Sequence, residues 1–185
     1  MLKPLTVRVR PEELAERRQV YDLKGVVRDL PRLEAILSGD LDSLAAAAPP
    51  ASWQDAPVRI GLDFAWLDER RELATVSGQA ELAVPAVCQR CLEAFVLEID
   101  TAFRLVLPRR DAEPVTVAGF ESFERESDTL RLQDLVEESL IMALPLAPVH
   151  PDPAACGPLA TRISGGGTES NRPFADLKAR LSGRE

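Results

Sequence analysis

Histidine is nearly absent from this chain, occurring once, at His150. A Ser-His-Asp triad or a Cys-His pair would have to be built on that residue, and no G-x-S-x-G elbow accompanies it. Cysteine is also scarce. Cys88, Cys91 and Cys156 are an odd number for a disulfide framework, so a reducing compartment is expected, with the thiols as metal ligands or packing residues. Long apolar runs are missing. No stretch approaches the ~20 residues of a membrane helix, and the start, Met1-Leu-Lys-Pro, opens no signal-peptide-like run. A cytoplasmic location without membrane contact is expected. Gly165-Gly-Gly167 lacks the Lys-Ser/Thr pair and preceding strand of a phosphate loop and reads as a linker. No constellation for hydrolysis, group transfer or redox chemistry emerges. The expectation is a protein that is not an enzyme and takes no small-molecule substrate.

What is present fits a folded domain. Of 185 residues, 45% are hydrophobic and 28% charged, ordinary for a globular chain that can bury one core. The net charge of -8 is unevenly spread. Residues 1–32 hold eight Lys/Arg against five Asp/Glu, residues 33–157 hold nine against 22, and residues 158–185 hold five against three. The body is thus at -13 between two basic ends. Such a body repels phosphate and attracts basic proteins, while the ends could still touch RNA.

Periodicity places the elements. Residues 4–10 alternate as a strand, 11–18 read as a short helix opened by Pro11, and 20–27 as a second strand. Residues 31–37 have helical spacing closed by Gly39, and 45–57 read as a loop or frayed helix end. The clearest β region follows: Val58, Ile60, Leu62, Phe64 and Trp66 alternate with smaller or polar residues, and 73–87 and 95–107 continue as strands. Residues 109–129 are polar and read as a surface excursion. Leu132, Leu135, Val136 and Leu140 form the apolar stripe of the strongest helix, 132–144, with Gln133, Asp134, Glu137 and Glu138 expected to face out; Pro145 ends it. The fold class is α+β: an antiparallel sheet, a meander or partial barrel, covered by helices. Residues 1–160 form one domain; residues 161–185 form a flexible linker and a short amphipathic helix, 173–181.

Cys88-Gln-Arg-Cys91 falls at a hairpin tip, where two thiolates can grip one tetrahedral ion. Two further ligands are needed, and His150 and Cys156 lie together in a proline-rich segment. These four residues are candidate ligands for one zinc ion; the alternative is that the cysteines only pack and His150 is a surface or hydrogen-bonding residue. A redox role for the Cys-x-x-Cys is weaker, because that motif sits at a helix N-terminus and this one lies between strands. Glu121, Glu124, Glu126 and Asp128 could hold magnesium but read more simply as a solvated loop. Trp53, Trp66, Phe95 and Phe103 could stack bases, yet without interleaved Lys/Arg they read as core.

Four ordered stretches resemble the YceD family. They are Cys88-Gln-Arg-Cys91-Leu, Glu137-Glu-Ser-Leu-Ile-Met-Ala-Leu-Pro145, Leu146-Ala-Pro-Val-His150 leading to Cys156, and Asn171-Arg-Pro-Phe-Ala-Asp-Leu177. Arg172 interrupts what is usually Asn-Pro-Phe in that family. The resemblance implies a factor supporting synthesis, processing or stability of 23S ribosomal RNA, without a catalytic residue set. Its expected partners are pre-ribosomal large-subunit components, either a basic ribosomal protein or 23S rRNA. Asn171, Phe174 and Leu177 form an apolar stripe too short to be stable alone and are candidate partner-binding residues. The alternatives are a direct RNA-binding module using the basic termini and, less well supported, a metal-dependent nuclease.

Overall fold

The computed structural model describes residues 6–44, 52–112 and 115–157. In chain order its elements are β1 (Arg8–Val9), α1 (Pro11–Glu16), β2 (Val20–Val26), α2 (Pro31–Leu44), β3 (Pro57–Trp66), β4 (Ala74–Val87), β5 (Ala94–Leu107), β6 (Glu121–Ser122), β7 (Leu130–Arg131) and α3 (Leu132–Ala143). Single 3-10 turns lie at Val27–Asp29, Trp53–Asp55 and Pro153–Ala155. The expected terminal helix, the linker, and Asn171, Phe174 and Leu177 lie outside the described residues.

The alternation in β3 sets the architecture. Val58, Ile60, Leu62 and Phe64 are buried on one face, and Arg59 and Asp63 are exposed on the other. The five-stranded sheet has order β2-β3-β4-β5-β6, antiparallel from β2 to β5, with β6 parallel to β5 over two residues. It is an open meander, and the expected α+β class holds. The inner face continues through Val76, Ala80 and Leu82 of β4 to Leu105 and Ile99 of β5, in register. Phe103 lies across from Gly78, and a Cβ at Gly78 would overlap the Phe103 ring, so this position requires glycine for close approach. The strand expected over 4–10 is only Arg8–Val9 among the described residues, paired to β7 outside the main sheet.

Three helices contribute to the core, α1 through Leu14 and Ala15 and the other two more extensively. Leu30, Leu33, Leu37 and Leu41 of the α2 region and Leu132, Leu135, Val136 and Leu140 of α3 belong to one buried cluster. Each such side chain contributes about 1.5–3 kcal/mol on burial. Gly39 was expected to close α2, but the helix runs on to Leu44. Leu41 falls four residues beyond Leu37 on the same buried face, and that packing outweighs the modest cost of a glycine inside a helix.

Glu137 was expected to face solvent but is 1% exposed. Its carboxylate accepts the Arg32 N–H at 2.8 Å, in the first turn of α2, where helical N–H groups lack partners. Burial pushes its pKa up, against the N–H groups of Arg32 and Leu33 and the Arg32 charge. The Arg32 guanidinium reaches the exposed Glu138 at 2.7 Å. Apolar periodicity does not reveal this burial, because the neighbour of α3 at that point is a helix end and not an apolar face.

The excursion over 109–129 is largely solvated, but Arg125 is not. Its side chain is 1% exposed and donates to the carbonyls of Pro108 (2.7 Å), Leu107 (3.3 Å) and Asp128 (3.2 Å) and to the Glu12 carboxylate (2.7 Å). One arginine thus ties the excursion to the end of β5 and to α1. Glu121, Glu124, Glu126 and Asp128 are exposed, and they do not converge on a common point among the described residues.

Candidate metal centre

The site is built where β4 hands over to β5. The Cys88 N–H donates to the Glu93 carbonyl at 3.0 Å and the Leu92 N–H to the Cys88 carbonyl at 2.8 Å, closing a tight turn. Leu92 takes φ 59°, a left-handed conformation that costs a non-glycine residue energy and is held here by that turn. The result places the Cys88 and Cys91 side chains together, both buried.

The other half arrives after α3. Leu144 leaves the helix with extended backbone, and the chain returns to the hairpin. Prolines at 145, 148, 151 and 153 cannot continue a helix and hold this segment irregular. The Gln89 N–H donates to the Pro148 carbonyl at 2.8 Å, and the Arg90 guanidinium to the His150 carbonyl at 2.7 Å. Asp152 then caps the turn Pro153–Ala155 by accepting the Ala154 N–H at 2.8 Å, and that turn delivers Cys156.

All four sequence candidates come together. The ligand atoms of Cys88, Cys91, His150 and Cys156 lie within 4.8 Å of one another. Cys88 Sγ is 3.9 Å from Cys156 Sγ, and His150 Nδ1 is 3.5 Å from Cys91 Sγ and 3.6 Å from Cys156 Sγ. A tetrahedral zinc with Zn–S near 2.3 Å and Zn–N near 2.05 Å requires S···S edges of about 3.8 Å and S···N edges of about 3.6 Å. These three edges match those lengths and the remaining ones stay within 4.8 Å, so the donor set is compatible with zinc once its wider edges draw in by up to about 1 Å.

The electrostatics fit as well. Burial pushes the Cys88 thiol up, but backbone N–H groups of His150, Arg90 and Cys91, with the His150 side chain, outweigh it and bring the pKa down to about 5. Cys156 is pushed up to about 11 by burial and by the hydrogen bond to Cys88. The two sulfurs share a hydrogen bond at 3.9 Å, and a metal ion bound there would displace whatever protons the cysteines carry. Three thiolates and a zinc ion leave a charge of -1. Arg90 supplies the compensating cation: its charge acts on Cys156, and its buried Nε has no hydrogen-bond partner in the described protein.

Arg90 and Gly157 were not anticipated from the sequence, and Phe95, read there as core, stands half-buried at the cluster. Arg90 is the only cation inside the Cys-x-x-Cys, a signal that was available. Phe95 packs its ring 4.8 Å from the His150 imidazole, so one face of the ring is taken by the histidine. At Gly157 a Cβ would overlap the Glu93 carboxylate, so the chain leaves the site pressed against the hairpin. Of the other aromatics, Trp53 is buried and Phe103 half-buried, while half-buried Trp66 donates its indole N–H to Glu16 at 3.1 Å.

No solved structure matches the chain. The family model described as large ribosomal RNA subunit accumulation protein YceD matches residues 76–179. That span takes in both halves of the Cys/His cluster and more than half of the sequence, and the chain belongs to the YceD family.

Proposed function

We propose that this chain is a non-enzymatic biogenesis factor supporting accumulation of the large-subunit (23S) ribosomal RNA, as its family's name describes. The observation that carries the reading is the closed ligand set. Catalytic zinc sites keep one position for water or substrate, whereas structural sites fill all four with protein. Cys88, Cys91, His150 and Cys156 fill all four. One zinc ion held there would clasp the segment after α3 to the β4–β5 hairpin and perform no chemistry itself. A scaffold of this kind acts through surfaces. Its body, at -13 over residues 33–157, favours a basic large-subunit protein over direct contact with phosphate. Unassembled rRNA is exposed to nucleases, so a factor that delivers such a protein preserves the RNA without touching its bonds. Asn171, Phe174 and Leu177 are proposed to add to that contact; the family match extends past them to residue 179, which supports a shared role. Among the described residues no helix is long and apolar enough to cross a membrane, and the proposed site of action is the cytoplasm.

The test is complementation of a strain lacking the gene. Wild type is expected to restore the ratio of large- to small-subunit rRNA, and Cys88→Ser/Cys91→Ser is expected to fail while metal analysis shows its zinc lost. Restoration by a zinc-free variant at normal protein level would overturn the clasp. An rRNA ratio that does not fall in the deletion strain would overturn the function.

A further inference from the structure

We infer that the outer edge of β5, centred on Val96, Glu98 and Asp100, is a docking site for an extended basic segment of a protein partner, which adds to the sheet as a strand. The inference rests on the biogenesis reading above and names the surface that would serve it.

β5 is hydrogen-bonded along its whole length to β4, from Ala94 opposite Val87 to Leu107 opposite Ala74. On its other side β6 pairs only with Leu105 and Val106. The direction of the open groups follows from the ladder. The Phe123 N–H donates to the Val106 carbonyl on the side away from β4 at 3.0 Å. At the opposite end the Cys88 N–H donates to the Glu93 carbonyl, across the β4–β5 pair. Antiparallel pairing alternates with a period of two, so even-numbered residues of β5 turn their N–H and C=O outward and odd-numbered ones turn theirs to β4. Pro85, which has no N–H to give, stands opposite Val96, as this phase requires. The backbone groups of Val96, Glu98 and Asp100 therefore point to an edge that no described residue occupies.

Long unpaired edges recruit strands, and proteins blunt them with charged side chains, proline, bulges or a covering element. Among the described residues no lysine, proline, bulge or covering element protects residues 94–100. The charges there are carboxylates, which repel a like edge and admit a basic one. Glu98 and Asp100 are exposed on the outer sheet face, and Asp100 has only a long contact, 3.5 Å, to the Gln79 amide. Of the arginines on this part of the sheet, Arg59 contacts Glu81 at 3.3 Å and Arg104 lies over the Phe120 ring at 4.2 Å. Beside the carboxylates Val96 is 63% exposed, next to an apolar hollow floored by Trp53, Pro85 and Ala94. Backbone groups supply register, the hollow takes an apolar side chain, and Glu98 and Asp100 select lysine or arginine at alternate positions. A second copy of this chain is disfavoured, because edge-to-edge pairing would set carboxylates against carboxylates. RNA is disfavoured by the same charges.

The test uses the purified full chain and a fluorescent twelve-residue peptide of alternating lysine and valine, with anisotropy for affinity and hydrogen exchange for location. Binding is expected to slow exchange at the amides of Val96, Glu98 and Asp100. Val96→Pro leaves the β4 ladder intact, because the N–H it removes points outward, and is expected to weaken binding at least tenfold. Glu98→Lys/Asp100→Lys is expected to do the same with an unchanged melting temperature, so a folding defect in one variant leaves the other decisive. Peptide binding indifferent to both variants, or protection elsewhere, overturns the proposal. So does tighter binding of a large-subunit rRNA fragment at this edge, a dimer abolished by Val96→Pro, or a large gain in peptide affinity on deleting residues 158–185, which would make the tail the occupant. If the edge variants lose the peptide but still restore rRNA in the deletion strain, the edge is dispensable and the family function stands.

Discussion

Replacing Arg125 with methionine tests how the polar excursion is held. The substitution keeps an unbranched apolar stem as far as the Nε position and removes every donor. The guanidinium satisfies the carbonyls of Leu107, Pro108 and Asp128 and one oxygen of Glu12, with its own side chain 1% exposed and that of Glu12 25% exposed. Breaking a buried charged pair by removing one partner costs about 3–5 kcal/mol. Glu12 keeps some access to water, which places the loss toward the lower end; the carbonyls at the end of β5 have no such relief and keep it from falling further. We expect about 3–4 kcal/mol, which for a chain of this size is a drop of about 6–16 °C in melting temperature. Glu12→Gln leaves the arginine's carbonyl contacts in place and should cost less than Arg125→Met. Urea denaturation followed by circular dichroism measures both, with the slope checked for constancy. A loss below 1 kcal/mol for Arg125→Met, or a larger loss for Glu12→Gln, would refute the assignment of Arg125 as the tie.

Protein purified without chelator should contain one zinc per chain, and stripping it should lower stability by about 4 kcal/mol when the free metal had stood a thousandfold above its Kd; a metal-free chain that melts unchanged would contradict the clasp. Leu140→Ala removes a fully buried side chain of α3 and should cost about 2–5 kcal/mol by the same denaturation assay, since the packed sheet beneath cannot collapse fully into the gap. Glu137 has its pKa raised above the ordinary 4.5 by burial, so its titration favours folding below that value and this contribution is lost as pH rises through the folded value. Glu137→Gln keeps an acceptor for the Arg32 N–H without the charge, so its stability relative to wild type should improve from pH 4 to pH 7; a pH-independent difference would mean that Glu137 is not the titrating group.

Most of the sheet was legible because one physical rule generates it. Alternation in β3 to β5 survives only if one face is buried, and Val58 to Phe64 announces that without knowledge of any neighbour. Three of the four residues of the Cys/His cluster were equally open to inspection, because thiols are rare in the chain and soft donors group in pairs; the fourth, His150, stood out as its only histidine. What could not be read depended on distant partners. Glu137 looks like a solvated glutamate until the end of α2 lies beside it, and Arg125 is one charge among many until three carbonyls surround it. Gly39 carries a stop signal in sequence that only the burial of Leu41 overrules. Polar residues buried against backbone leave no periodic trace, and they are the ones missed.

Two glycines show how the same nominal overlap can have opposite consequences, and the contrast tests the clasp from a second direction. At Gly78 a Cβ would run into three atoms of the Phe103 ring. That ring is a rigid body, half-buried against the core, and moving it disturbs β5. Gly78→Ala should therefore cost about 1–3 kcal/mol, the range for overpacking. At Gly157 the Cβ would meet only the carboxylate end of Glu93, an exposed and flexible side chain with solvent to swing into. Gly157→Ala should change stability by less than about 0.5 kcal/mol, as surface substitutions do. Because Gly157 directly follows the ligand Cys156, the informative readout is zinc content under competition with a chelator. If Glu93 yields, Cys156 keeps its place and retention is unchanged; Gly157→Ala losing zinc while Glu93→Ala restores it in the double variant would show that the carboxylate wall, and not the ligand set alone, fixes where Cys156 stands.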